Sequence, residues 1–166
     1  MTSSERHTLI LSDDQLRLID QSLNSLRHDT GAKCIVLSDV TGQPITQVGV
    51  TEGLDIANLI SLLAGSYAVI FEMSKYLGEK NASNLNFHEG PIFAVYSANV
   101  GEKLFIAIFY ERRIKTGRIG LDWLYIRRTV PKLIQIIEAS GKIQGGSVFD
   151  ADFNASLNEK MDRLFD

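Results

Sequence analysis

A chain of 166 residues is the size of one domain with a short appendage, and 45% hydrophobic against 22% charged residues is enough for a core that needs no covalent staple. A net charge of −3 leaves no overall basic footprint, so nucleic acid is not an expected partner. The single cysteine, Cys34, cannot close an internal disulfide, which fits the reducing cytoplasm, and the opening MTSSERHT has neither the long apolar core nor the cleavage pattern of a signal peptide.

Residues 1–11 form a polar N-terminal segment with a short apolar patch at Leu9–Leu11. Ser12 then opens SDDQ, a capping box in which Ser12 is the N-cap and Gln15 reaches back to it. Asp13 and Asp14 suit the positive end of the helix dipole. Leu16, Ile19, Leu23 and Leu26 recur at helical spacing, which predicts an amphipathic helix ending near His28, with Gly31 beyond it. Lys33–Ser38 is a β-branched run that reads as a buried strand, with Cys34 as a small core residue. VTGQ is a turn, and Pro44–Gly49 is a second strand whose leading proline needs no ladder donor.

A long helix follows, Leu54–Gly78, with no charged residue from Ile56 to Phe71. That charge-poor stretch is shorter than the ~20 apolar residues of a membrane span and contains Asn58, Ser61, Gly65 and Ser66, so no span is expected. Asn84–Glu89 is a more polar strand, broken by Gly90–Pro91. Ile92–Asn99 and Lys103–Tyr110 make a hairpin around Gly101–Glu102. Glu111–Gly120 reads as a basic loop and Leu121–Glu138 as a helix. Pro131 predicts a kink in that helix or a boundary a few residues away. Residues 139–148 are a glycine-bearing linker. Residues 149–166 then form a C-terminal amphipathic helix, in which Phe149, Phe153, Leu157, Met161 and Leu164 repeat at helical spacing.

The long helix has two faces. At about 100° per residue, Ile56, Leu59, Ile60, Leu63, Tyr67, Ile70 and Phe71 share one bulky arc that suits the domain's own sheet. The opposite arc holds Asn58, Ser61, Leu62, Gly65, Val69, Glu72 and Met73. Its small centre and apolar flanks suit close approach of another helix. That helix belongs either to this chain or to a second subunit. Only two other core helices are predicted and both are needed on one sheet face, which points to a homodimer.

Chemistry is hard to find. His7, His28 and His88 pair with no cysteine or carboxylate at metal-ligand spacing, there is no GxSxG elbow, and Thr116–Gly120 lacks the phosphate-loop pattern. No catalytic residue, metal site or cofactor is therefore expected. The basic stretch around Arg112, Arg113, Lys115 and Arg118, continued by Arg127, Arg128 and Lys132, is either a docking edge for an acidic partner or a solvated face. Trp123 and Tyr125 sit in the helix and read as core. The tail, with Phe149, Phe153, Leu157 and Met161 on one side and five acidic residues elsewhere, either docks in a partner's groove or folds back on its own domain.

The element order and three segments together resemble the Roadblock / dynein light chain superfamily, and within it the bacterial MglB-like members. The segments are CIVLSDVTGQPITQVG, the charge-poor helix, and LNFHEGPIFAVYSANVGEKLFIAIFYERRIKTGRIGLDWLYIRRTVPKLI. Asp39–Gly42 matches the family's DxxG-type turn, and the resemblance runs from Cys34 to Ile137. It implies an α+β domain over residues 12–138, a Roadblock-like α-β-β-α-β-β-β-α sandwich on a five-stranded antiparallel sheet, with the C-terminal amphipathic helix as an addition. It implies dimerisation through the long helix and the following strand, here the Asn58–Met73 arc with Leu85 and Phe87. It also implies a cytoplasmic regulator, GTPase-activating partner or scaffold for a small Ras-like GTPase. No catalytic residue transfers; Arg112, Arg113 or Arg118 is of the type that could supply an arginine finger. The competing readings are a motor-adaptor or scaffold subunit without effect on GTP turnover, and a profilin- or PAS-like ligand sensor with a pocket between helix and sheet.

Overall fold

The computed structural model describes residues 9–80, 85–112 and 119–139. Eight elements follow one another: α1 (Asp13–Thr30), β1 (Cys34–Asp39), β2 (Pro44–Gly49), α2 (Ile56–Tyr76), β3 (Leu85–Glu89), β4 (Phe93–Val100), β5 (Leu104–Glu111) and α3 (Ile119–Glu138). The five strands form one antiparallel sheet in the order β2-β1-β5-β4-β3. The linker 140–148 and the tail 149–166 lie outside the described residues.

Strand alternation builds two cores. Ile35, Leu37, Tyr96, Ala98, Ile106 and Ile108 face one way and pack beneath α1 (Ile19, Leu23, Leu26) and α3 (Ile126, Leu133). Cys34, Val36, Phe105, Ala107 and Phe109 face the other way, beneath Ile60 and Ala64 of α2. The two central strands, β1 and β5, are covered on both faces, which is why they read as continuous apolar runs. Among the described residues, two helices therefore share one sheet face and α2 alone covers the other.

The capping box forms as the spacing predicts. Gln15 N–H donates to Ser12 Oγ at 3.2 Å and Ser12 N–H donates to Gln15 Oε1 at 2.9 Å. α1 runs two residues past His28 and ends on Gly31 in the left-handed region. α3 starts at Ile119, two residues before the expected Leu121, and its helical run continues through Pro131 instead of splitting there. Proline leaves the carbonyl of Arg127 without its helical donor and crowds it with the ring. Arg127 and Pro131 are both exposed, so water can serve that carbonyl.

α2 falls within the expected Leu54–Gly78, but its 21 residues are long and apolar enough to cross a membrane by length and composition, where the charge-poor stretch alone is too short. Its first half lies on the sheet of its own chain, with Ile60 and Ala64 buried and the Tyr67 ring stacked 6.2 Å from Phe105. Phe71, expected on the sheet-facing arc, is 45% exposed. It stacks on Tyr67 at 6.4 Å and carries Lys75 Nζ over its ring at 4.7 Å. Beyond Tyr67, Ile70 is half-buried and Ser74 buried, while Phe71 and Met73 are exposed.

The Asp39–Gly42 turn joins the sheet to this helix. Asp39 Oδ1 accepts from Thr41 N–H (2.9 Å), Thr41 Oγ1 (2.6 Å) and Gln43 N–H (2.9 Å). Gly42 is in the left-handed region, and a Cβ there would stand 3.0 Å from the Ser61 Cα, so the turn seats directly on α2. Burial alone would raise the Asp39 carboxyl, but the donors from Thr41, Gln43 and Gly42 hold it below its usual value. A lowered folded-state value contributes stability above the unfolded carboxylate range, and that stability is lost as pH falls through the folded value. Asp39→Ala should cost about 1–2 kcal/mol at neutral pH, and the gap in urea midpoint should narrow below about pH 4. A gap that stays constant into acid would show that the charge plays no part.

Candidate functional site

The outer side of α2 is an apolar stripe. Leu62 is 72% exposed, Val69 69%, Met73 53% and Tyr76 90%. They fall at helical spacing on the side away from Ile60 and Ala64. Gly65 lies among them, and nothing stands within 4 Å of where its Cβ would be. The polar members of this arc are tied along the helix. Asn58 Nδ2 donates to the carboxylate of the N-cap, Asp55, at 2.6 Å, and Glu72 pairs with Lys75 at 2.7 Å. Ser61 Oγ donates to the Ala57 carbonyl at 2.9 Å. A partner helix approaching here meets no unpaired charge from α2.

β3 is an edge strand, paired to β4 from Leu85↔Ala98 to Glu89↔Ala94. Leu85 packs on the α1–α3 core, and Phe87 lies 4.5 Å from the Tyr96 ring on that same side. The alternate residues Asn86 and His88 face the α2 side. So Leu85 and Phe87 do not extend the α2 stripe; what β3 adds to that side is its open backbone edge. Burial, with Asp122 and Glu89 nearby, pushes the Tyr96 phenol up to about 12, so this aromatic cluster carries no phenolate at neutral pH.

Arg112 is engaged within its own chain. Its Nη2 pairs with Glu89 at 2.8 Å and its Nη1 donates to the Gly90 carbonyl at 3.0 Å, clamping the end of β5 to the β3–β4 turn. Sequence reasoning missed the pair because Glu89 and Arg112 meet only through the β4–β5 hairpin. Arg112→Ala should lower stability by about 0.5–1 kcal/mol, read as a shift in thermal midpoint. Arg113, Lys115, Arg118, Phe149, Phe153, Leu157 and Met161, the other expected docking residues, lie outside the described residues. Trp123, read as core, is half exposed and holds the Arg127 guanidinium 4.6 Å above its ring.

Little else in the described residues suggests chemistry. Burial raises the Cys34 thiol to about 11 against the effect of Lys33, so it supplies no thiolate. Among the described residues no three His, Cys, Asp or Glu side chains gather as a metal site. Where a helix–sheet ligand pocket would lie, Ile60, Ala64 and Leu63 pack on Cys34, Val36 and Phe105. The surface that stands out among the described residues is an exposed apolar helix stripe beside a strand edge.

Comparison with known proteins agrees with this fold. No family model and no curated protein matches the chain. Among solved structures, MglB of Myxococcus xanthus is 30% identical, with a TM-score of 0.65, over 74% of this chain and 96% of that one. The gliding protein MglB of Thermus thermophilus is 21% identical, with a TM-score of 0.69, over 80% of this chain and 97% of that one. A Roadblock/LC7 domain from Streptomyces avermitilis has a TM-score of 0.56 at 13% identity, over 69% of this chain and 92% of that one, and shares the fold. With nearly the full length of a 30%-identical relative matched, and with the α-β-β-α-β-β-β-α order and the Asp39–Gly42 turn in place, the chain belongs to the MglB-like family of Roadblock-fold proteins.

Proposed function

We propose that the protein is a cytoplasmic homodimer that regulates a small Ras-like GTPase by contact, with no chemistry of its own. The observation that carries the dimer is the stripe Leu62, Val69, Met73 and Tyr76, exposed around an open Gly65 on the one helix covering its sheet face. At ~1.5 kcal/mol or more for each such side chain buried, two copies supply on the order of 10 kcal/mol, enough to offset the entropy lost on association. The β3 edges then meet beside the paired helices. Asn58, Ser61, Leu62, Gly65, Val69, Glu72 and Met73 line this joint, and Leu85 and Phe87 hold β3 in position from behind.

Family membership supports the GTPase as partner. The mechanism is positional: the dimer favours one arrangement of the partner's switch loops and so shifts its hydrolysis or nucleotide release. The Arg112–Glu89 clamp favours this over an arginine finger at residue 112.

The test adds the purified protein to GTP-loaded small Ras-like GTPases from the same genome. For one of them, hydrolysis or nucleotide release should change by about tenfold or more. Arg112→Ala should leave that change within about twofold. Binding with both rates unchanged would leave a scaffold, and no binding to any of them would overturn the reading.

A further inference from the structure

The layer formed by α1 and α3 is not closed. Gln15 Nε2 donates to the Ile136 carbonyl at 2.7 Å, so the first turn of α1 meets the last turn of α3 and the two helices run antiparallel. Between them lies an open groove of about 360 Å³. Leu18, Tyr125 and Ile136 give it apolar walls, and Ser25 keeps it wide. Arg128 and Lys132 stand on its α3 rim, with Asp29 on the α1 rim. From Leu18 to Asp29 the groove follows α1 for about 17 Å.

The chain itself supplies a matching occupant. Residues 140–166 begin one turn after Ile136, which lines the groove's end. The linker 140–148 reaches at most about 30 Å, enough to turn back. Beyond it, Phe149, Phe153, Leu157 and Met161 repeat every four residues, a stripe about 20 Å long if helical. Asp150, Asp152, Glu159, Asp162 and Asp166 outnumber Lys160 and Arg163 around that stripe, and they complement Lys132 on the α3 rim.

We infer that residues 149–166 dock in the α1–α3 groove of their own chain, with the apolar stripe on Leu18, Tyr125 and Ile136 and the acidic flank toward Lys132. The groove is on the sheet face opposite α2, so docking leaves the α2 stripe and the β3 edge available to a second copy. The inference does not depend on a GTPase partner.

Amide hydrogen exchange on the full chain tests it. Tail amides should exchange about tenfold or more slower than an unstructured peptide. Two groove variants, Leu18→Asp and the fully surface change Lys132→Glu, should each release that protection while α2 exchange stays unchanged. The paired tail change Phe153→Asp with Leu157→Asp should in turn speed exchange in α1 between Leu18 and Asp29. Protection should persist in Gly65→Arg and on dilution. Tail amides at the unstructured rate would overturn the proposal, as would protection indifferent to both groove variants. Protection lost on dilution would assign the tail to a second copy, and protection seen only with an added GTPase would assign it to an outside partner; either overturns the proposal.

Discussion

Gly65→Arg should give a folded monomer. Gly65 sits mid-helix with nothing within 4 Å of a Cβ position, so the arginine side chain starts into open space. Replacing a helix-interior glycine favours the helix by about 0.5–1 kcal/mol, so the circular dichroism and the thermal midpoint of the monomer should hold or rise. The same side chain placed at the centre of a close helix pair, opposite its own copy, drives two cations together in an apolar seam and holds the backbones apart. Association should weaken by about 100-fold or more, seen as a halved mass in sizing with light scattering. Leu62→Glu with Val69→Glu should do the same from the flank. An unchanged mass in both variants would mean that copies do not meet on this face of α2.

Gly49→Ala should be among the most damaging single-methyl changes in the chain. Gly49 has φ +93°, and its Cβ would fall within contact distance of the Lys33 carbonyl oxygen, 2.8 Å from Arg27 Cδ and 3.0 Å from Cys34 Cα. Two of those neighbours are backbone in the β1–β2 register, where Val50 N–H donates to the same Lys33 oxygen at 3.0 Å. They cannot withdraw without opening the ladder. Strain and clash together should cost about 3 kcal/mol or more, roughly a 10 °C drop in thermal midpoint. Gly31→Ala is the control. Its φ is +71° but nothing lies within 4 Å, so only the backbone cost of about 1–2 kcal/mol applies. Equal losses at the two positions would show that the clash is relieved elsewhere.

What was legible in the sequence is what depends on neighbours along the chain. The Ser12–Gln15 box, the β-branched runs of β1 and β5, the Asp39 turn and the surplus apolar surface of α2 all follow from spacings under about four residues or from strict periodicity. The departures come from long-range placement. Phe71 has the right angular position to face the sheet, but where the sheet ends along the helix is set by how α2 crosses it. Leu85 and Phe87 lie on the right strand, yet which face they point to depends on the register with β4. Arg112 belongs to a basic run, and only the hairpin brings Glu89 to it. Pro131 follows the rule for its missing donor, and exposure makes the loss affordable.

The two edges of the sheet are unlike. β3 offers an open backbone edge on the same side as an unused helix stripe. β2 begins with Pro44, which has no N–H to offer, and the register shifts beside it between Leu37 and Ser38. It is also held against α1, where Thr46 Oγ1 donates to Asp20 at 2.6 Å. In the proposed dimer, a two-fold joint through β3 would leave a β2 at each outer end, so the joined sheet would terminate at both rims with strands that resist recruiting another. Strand-by-strand growth would then stop at two subunits, and β2 would act as the guard against fibre formation.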